Sequence, residues 1–211
     1  MIAVIFDMDG VLVDNAHFHK RAFVEYFSEY GTTLTPEMYG RSNEDLMVEL
    51  FPNESEERHR EFANGKEAYY RQIYEPHIKP VAGLVSFLQE LKSNNIPVAV
   101  GSSAPVENID FVLDKLKIRN YFDVVVVAAM VRRAKPAPDI YLKSAELLKM
   151  EPKNCLVFED ALAGIEAARS AGMKVVGVAT SLPKEKLTET NKIINDFTEI
   201  TVAEIKQQII V

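Results

Sequence analysis

Ile2-Ala-Val-Ile-Phe-Asp7-Met-Asp9-Gly10-Val-Leu-Val-Asp14 is the stretch on which the reading of this chain turns. Ile2 to Phe6 is an apolar run with the length of a buried strand. It stops at two carboxylates one residue apart, and a glycine follows. In open α/β sheets ligands bind at the carboxyl ends of strands. Two acids so close together repel each other in an apolar setting unless a cation or a proton intervenes. A pair of turn carboxylates capping a helix is the bland alternative. Taken alone, the Asp-x-Asp leaves both readings open.

Beyond Asp14 the pattern becomes helical. Phe18, Ala22, Tyr26 and Tyr30 recur at helical spacing over Ala16 to Tyr30, and Gly31 ends that run. Thr35-Pro36-Glu37 predicts another short helix, with Thr35 as its cap. Asn43 is expected to cap a helix over Glu44 to Phe51. Ser55 to Tyr74 is highly charged, with Phe62, Tyr69 and Ile73 on one side, so it reads as an amphipathic helix with a wide solvated face. No strand-like run lies between Asp14 and Lys79. That segment is read as a helical insert of about half a usual domain.

From Pro80-Val-Ala-Gly83 onward strands and helices alternate. Strands are expected at Pro97–Gly101, Asp123–Ala128, Cys155–Phe158 and Lys174–Val178, with a short edge strand at Ile193-Ile194. Helices are expected at Leu84–Asn94, Pro105–Lys117, Asp139–Lys149, Ala161–Ala171 and Val202–Ile209. Near-continuous β-branched strands between helices imply a parallel sheet covered on both faces. The fold class is therefore α/β: a Rossmann-like parallel sheet with helices on both faces, plus an inserted all-α helical cap. The expected boundaries are a core of residues 1–14 and 80–211 and a cap of 15–79. Handed crossovers put all the carboxyl ends of the strands on one side. Those ends carry Asp7 and Asp9, then Ser102 and Ser103, then Arg132-Arg133-Ala-Lys135-Pro136, then Glu159-Asp160.

Acids, hydroxyls and a lysine at one rim suit an acidic metal site that handles phosphate. Hard cations such as Mg²⁺ take oxygen ligands and share phosphate oxygens with the protein. Lys135 can neutralise the remaining charge as a point cation. Ser102, Ser103 and the N–H groups beside them can donate to phosphate at a strand-to-helix turn. A carboxylate nucleophile forms an acyl phosphate, and a second carboxylate can protonate the leaving oxygen and later deprotonate water. Asp7 and Asp9 fit those roles in that order. Each residue also has an ordinary structural reading: Asp160 or Ser103 as a helix cap, Lys135 as a loop lysine, Arg132 and Arg133 as solvated loop residues.

Asp7-Met-Asp9-Gly10-Val-Leu-Val-Asp14, Ser102, Lys135-Pro136 and Glu159-Asp160 resemble the four motifs of the haloacid dehalogenase-like superfamily. Within it the chain is most similar to phosphatases and β-phosphoglucomutases with a helical cap after the first strand. The resemblance implies Asp7 as nucleophile, Asp9 as acid/base, and Mg²⁺ held by Asp7, the Asp9 backbone carbonyl and Asp160. It also implies that Glu159 steers a metal-bound water, that Asp14 is structural, and that His19 lies near the acid/base or the hinge. The mutases carry a lysine before the cap glycine, an arginine three residues after it, and a threonine after the motif aspartate. Here Tyr39, Asn43 and Asn15 stand in those places, around Gly40-Arg41. Neutral groups replace charge-assisted contacts to a distal phosphate, although Arg41 offers a charge from another direction. The expected activity is a phosphomonoesterase on a small phosphorylated metabolite such as a sugar phosphate, closed over by the cap. A β-phosphoglucomutase is the alternative, and a non-catalytic regulatory protein the third.

Composition narrows the rest. In 211 residues, 47 % are hydrophobic, enough for a sizeable core. A net charge of −7 disfavours a protein that tracks nucleic-acid phosphates. Cys155 is the single cysteine, so no internal disulfide forms and a reducing, cytoplasmic setting is expected. The first apolar run lacks a basic lead and is cut by Asp7, unlike a signal peptide. No apolar stretch approaches the roughly 20 residues that span a bilayer. A monomer without nucleic-acid or membrane partners is expected. Zinc clusters, a Walker loop and an EF-hand all lack their residues here.

Overall fold

The structure is a computed structural model describing residues 2–32 and 43–209. The chain divides into two compact units, Met1–Asp14 with Lys79–Val211, and Asn15–Ile78. The helix expected at Thr35-Pro36-Glu37 lies outside the described residues, as does Arg41.

The larger unit is built on six strands among the described residues: β1 (Ala3–Phe6), β2 (Val98–Ser102), β3 (Val124–Val127), β4 (Cys155–Glu159), β5 (Lys174–Val178) and β6 (Lys192–Ile194). Their order across the sheet is β3-β2-β1-β4-β5-β6, and all pairs are parallel. The order reverses between β1 and β4. That reversal opens a crevice at their carboxyl ends, because the connections from the two strands leave toward opposite sides.

The helices, in chain order, are α1 (Ala16–Phe27), α2 (Asn43–Leu50), α3 (Glu56–Tyr74), α4 (Leu84–Ser93), α5 (Val106–Lys115), α6 (Asp139–Leu147), α7 (Leu162–Ser170) and the single turn α8 (Val202–Glu204). Side chains alternate across each strand, so the sheet has two cores. Ile5, Ala99, Val157 and Val175 share one face with Ile140 and Ala145 of α6 and with Ile165 and Ala168 of α7. On the other face Phe6 pairs with Phe158 in register, and their rings stack at 5.0 Å. Phe87 of α4 and Phe197 close over both rings. Burial on both faces explains why these strands read as continuous apolar runs.

Val13 bridges Pro80, and the Leu12 carbonyl accepts from the Val81 N–H at 3.0 Å. The chain therefore leaves and re-enters this unit at neighbouring points. The smaller unit contains α1 to α3 around Phe23, Phe27, Leu46, Met47 and Phe62. Ser55 caps α3 by accepting from the Arg58 N–H at 3.2 Å.

Two local expectations are corrected, and two ordinary structural alternatives fall away. Asn43 is the first residue of α2, and its amide donates to Glu67 at 2.7 Å, because that buried carboxylate needs donors. Pro105 and Ala161 occupy the N-cap positions of α5 and α7, so neither Ser103 nor Asp160 caps a helix. The last helix is a single α-turn that widens into a π-helical turn over Ile205–Ile209. No helix among the described residues is long and apolar enough to cross a membrane.

Phe6 is fully buried and touches four other aromatic rings, of Phe87, Phe122, Phe158 and Phe197. Truncating it leaves a cavity that the stiff sheet cannot collapse into. Phe6→Ala is expected to lower stability by about 3–5 kcal/mol in urea unfolding. A loss below about 1 kcal/mol would show that this ring cluster is not the centre of the core.

Candidate active site

The loop after β1 is a tight turn. Gly10 donates to the Val13 carbonyl at 2.7 Å, and Leu12 donates to the Met8 carbonyl at 2.8 Å. Gly10 has φ +75°, and a Cβ there would lie 1.8 Å from Asp160 Oδ2. Only glycine meets both conditions, left-handed backbone and close approach of a carboxylate. Thr180, after β5, donates to the Gly10 carbonyl and ties a further loop to the turn. Gly164 plays a matching part in α7, since a Cβ there would lie 1.6 Å from Glu159 Oε1.

Around this turn the distant segments meet. Lys135 Nζ donates to Asp7 Oδ1 and to Glu159 Oε1, both at 2.6 Å. Glu159 Oε2 accepts from the backbone N–H groups of Asp160 at 3.0 Å and Ala161 at 3.1 Å. Asp7, Glu159 and Asp160 are buried, and each offers a carboxylate oxygen within 4.8 Å of the others. Three carboxylates against one ammonium leave two negative charges unbalanced.

The proton affinities reflect that excess. Burial is the main cause that pushes Asp7 up to about 7; Lys135 opposes it, while Glu159 and Asp9 add to it. Asp160 is raised well above the usual carboxylate range, by burial first and then by Glu159 and Asp7, with Ser181 and Lys135 pulling the other way. Burial opposes the charge on Lys135, but Asp7 and Glu159 outweigh it and hold the amine firmly protonated. A buried cluster of carboxylates with this charge excess fits a hard divalent cation. Asp7 and Asp160 have carboxylate oxygens to give it.

The other expected residues fall into distinct places. Asp9 is half-buried and close enough to Asp7 to raise it. Ser102 is buried at the end of β2, beside β1, where its Oγ accepts from the Ala104 N–H at 3.1 Å; Ser103 is exposed. Arg133 pairs with Asp139 at the start of α6, and Arg132 is exposed. Asp14 is exposed. His19 and Asn43 belong to the helical unit. There His19 stacks on Tyr70 with ring centroids 3.8 Å apart, and Asn43 holds Glu67.

Sequence reasoning missed three features. Tyr141 of α6, which nothing in the sequence marks beyond its place in a helix, donates its hydroxyl to Glu159 Oε1 at 2.6 Å. Thr180 and Ser181 reach the site from the loop after β5, where only Thr-Ser following a strand signals them. Lys66 and Glu67 form a buried ion pair in the helical unit. Burial raises the Glu67 pKa, but Lys66 and His19 bring it below its usual value.

A family model described as haloacid dehalogenase-like hydrolase matches residues 4–178. Among curated proteins, the phosphorylated carbohydrates phosphatase of Thermotoga maritima is 33 % identical over 188 residues, covering 86 % of this chain and 87 % of that protein. Among solved structures, a family IA haloacid dehalogenase-type hydrolase of Entamoeba histolytica is 31 % identical with a TM-score of 0.88, covering 97 % of each chain. A β-phosphoglucomutase of Clostridium difficile is 32 % identical with a TM-score of 0.85, covering 99 % of this chain and 97 % of its own.

The raised Asp7 value makes a prediction for the metal-free protein. Its folded value of about 7 lies above the unfolded carboxylate value of about 3.9. Stability from this group is thus complete below about pH 4 and is lost as pH rises through about 7. The urea midpoint of chelator-treated protein is expected to fall between pH 5 and pH 8. Asp160→Asn should raise the midpoint at pH 8 by removing one of the crowded charges. A midpoint that climbs with pH, or a destabilised Asp160→Asn, would contradict the excess of negative charge.

Proposed function

The chain belongs to the haloacid dehalogenase-like hydrolase family, and on that premise we propose that it is a Mg²⁺-dependent phosphomonoesterase acting on a small phosphorylated metabolite, with sugar phosphates as the first class to test. The observation that carries this reading is the meeting of Asp7, Lys135, Glu159 and Asp160 at the switch point of the sheet, with negative charge in excess. The similarity to a phosphorylated carbohydrates phosphatase supports the substrate class.

In this reading Asp7 attacks phosphorus, the ester P–O bond breaks, and Asp9 gives its proton to the leaving oxygen. Water then attacks the phosphorus of the aspartyl phosphate. Asp9 takes the proton of that water, and the bond to Asp7 breaks to release inorganic phosphate. Lys135 holds Asp7 in place and counters the charge of the phosphoryl oxygens. Ser102 and neighbouring N–H groups receive the phosphoryl group, with Ser103 at the rim. Asp7, Asp160 and the Asp9 carbonyl would hold Mg²⁺, which when bound keeps Asp7 ionised and neutralises phosphoryl oxygens. Residues 15–79 act as a cap that selects the substrate, with His19, Arg41 and Asn43 as its candidate contacts.

A phosphomutase is the second reading, favoured by the likeness to the Clostridium difficile enzyme. Against it, Asn43 stands where a mutase arginine is expected, and its amide is engaged by Glu67.

A phosphate-release screen over sugar phosphates and other metabolites with Mg²⁺ tests the proposal. Release is expected to require the metal. Asp7→Asn should lower kcat by at least about a thousandfold while the circular dichroism spectrum is unchanged. Rapid conversion of β-glucose 1-phosphate to glucose 6-phosphate with little free phosphate would favour the mutase. Turnover by Asp7→Asn at the wild-type rate would remove Asp7 as nucleophile.

A further inference from the structure

Tyr141 is fully buried on the first turn of α6, and it meets the site twice. Its hydroxyl donates to Glu159 Oε1 at 2.6 Å, and the face of its ring lies 4.8 Å from Lys135 Nζ. Glu159 thus receives four donors from this chain: Lys135 Nζ and Tyr141 OH on one oxygen, and the N–H groups of Asp160 and Ala161 on the other. A carboxylate has about four lone-pair sites, so these four donors fix the orientation of Glu159. A Cβ at position 164 would occupy its place, which leaves the carboxylate no room to swing toward α7.

From this geometry we infer that Tyr141 is a positioning residue, which acts through Glu159 to hold the Lys135 ammonium against Asp7. A phenylalanine would fill the same volume and present the same ring to Lys135. What the hydroxyl adds is a second donor on the oxygen that Lys135 uses. Without it, the Glu159 carboxylate is free to turn about its remaining contacts, and the ammonium follows it away from Asp7. A shift of a fraction of an ångström there misaligns the groups that must meet phosphorus in the transition state.

The inference uses the phosphomonoesterase reading only for its kinetic arm. The test compares wild type, Tyr141→Phe, Glu159→Gln and the double variant, with p-nitrophenyl phosphate as substrate and Mg²⁺ binding followed by calorimetry. Tyr141→Phe is expected to lower kcat about tenfold with KM changed less than about threefold. Its Mg²⁺ affinity should also stay within about threefold, whereas Asp160→Asn should lose most of its affinity. The double variant should lose no more kcat than Glu159→Gln alone, since the tyrosine acts through that carboxylate. Additive losses, an unchanged kcat in Tyr141→Phe, or Mg²⁺ affinity that falls in step with kcat would each overturn the inference. So would a Tyr141→Phe protein that does not fold, because the hydroxyl would then serve stability. A wild-type protein with no phosphatase turnover would instead sink the functional reading.

Discussion

The ammonium of Lys135 is the contact on which the site depends. It reaches Asp7 across 128 residues of sequence and Glu159 across 24. Without a cation there, three buried carboxylates would face one another in a dry crevice, where like charges raise each other's pKa and cost stability. With it, the crevice is partly neutralised and still lacks positive charge. A cluster left in that state suits a hard cation, since an added positive charge would relieve the repulsion among the acids.

Everything else in the larger unit serves to bring those charges together. Parallel pairing in the order β3-β2-β1-β4-β5-β6 sets β1 and β4 side by side, so Asp7 and Glu159-Asp160 emerge as neighbours. The aromatic cluster of Phe6, Phe87, Phe158 and Phe197 stiffens the same two strands from one face. Glycines at 10 and 164 remove the side-chain bulk that would keep the loops from closing on the acids. The packing and the chemistry therefore rest on the same short segments, which is why a change in either is felt in both.

The helical unit carries a second concentration of buried charge. Lys66 and Glu67 are adjacent in sequence and both buried, and Asn43 donates to the same carboxylate oxygen. A pair of this kind gains little net stability, since desolvation offsets most of the attraction, but it is costly to break. It fixes the geometry of α2 against α3. Nothing in the periodicity of α3 marks it, because Lys-Glu in a charged helix reads as a solvated face.

Local pattern was enough to identify the strands, the helical insert and the residues that occupy the strand ends. Apolar runs bounded by turns can be recognised locally, and right-handed crossovers leave few ways to connect them. It therefore named Asp7, Lys135, Glu159 and Asp160 as one group, and the structure brings them together. It did not reveal that Ser103 is exposed, that Asp160 leaves the helix cap to Ala161, or that Tyr141 and Ser181 reach the acids. Those facts depend on rotamers and on which residue of a turn faces inward. How Glu159 is shared between Lys135 and Tyr141 follows from packing, because hydrogen bonds between segments far apart in the chain leave no periodic trace in it.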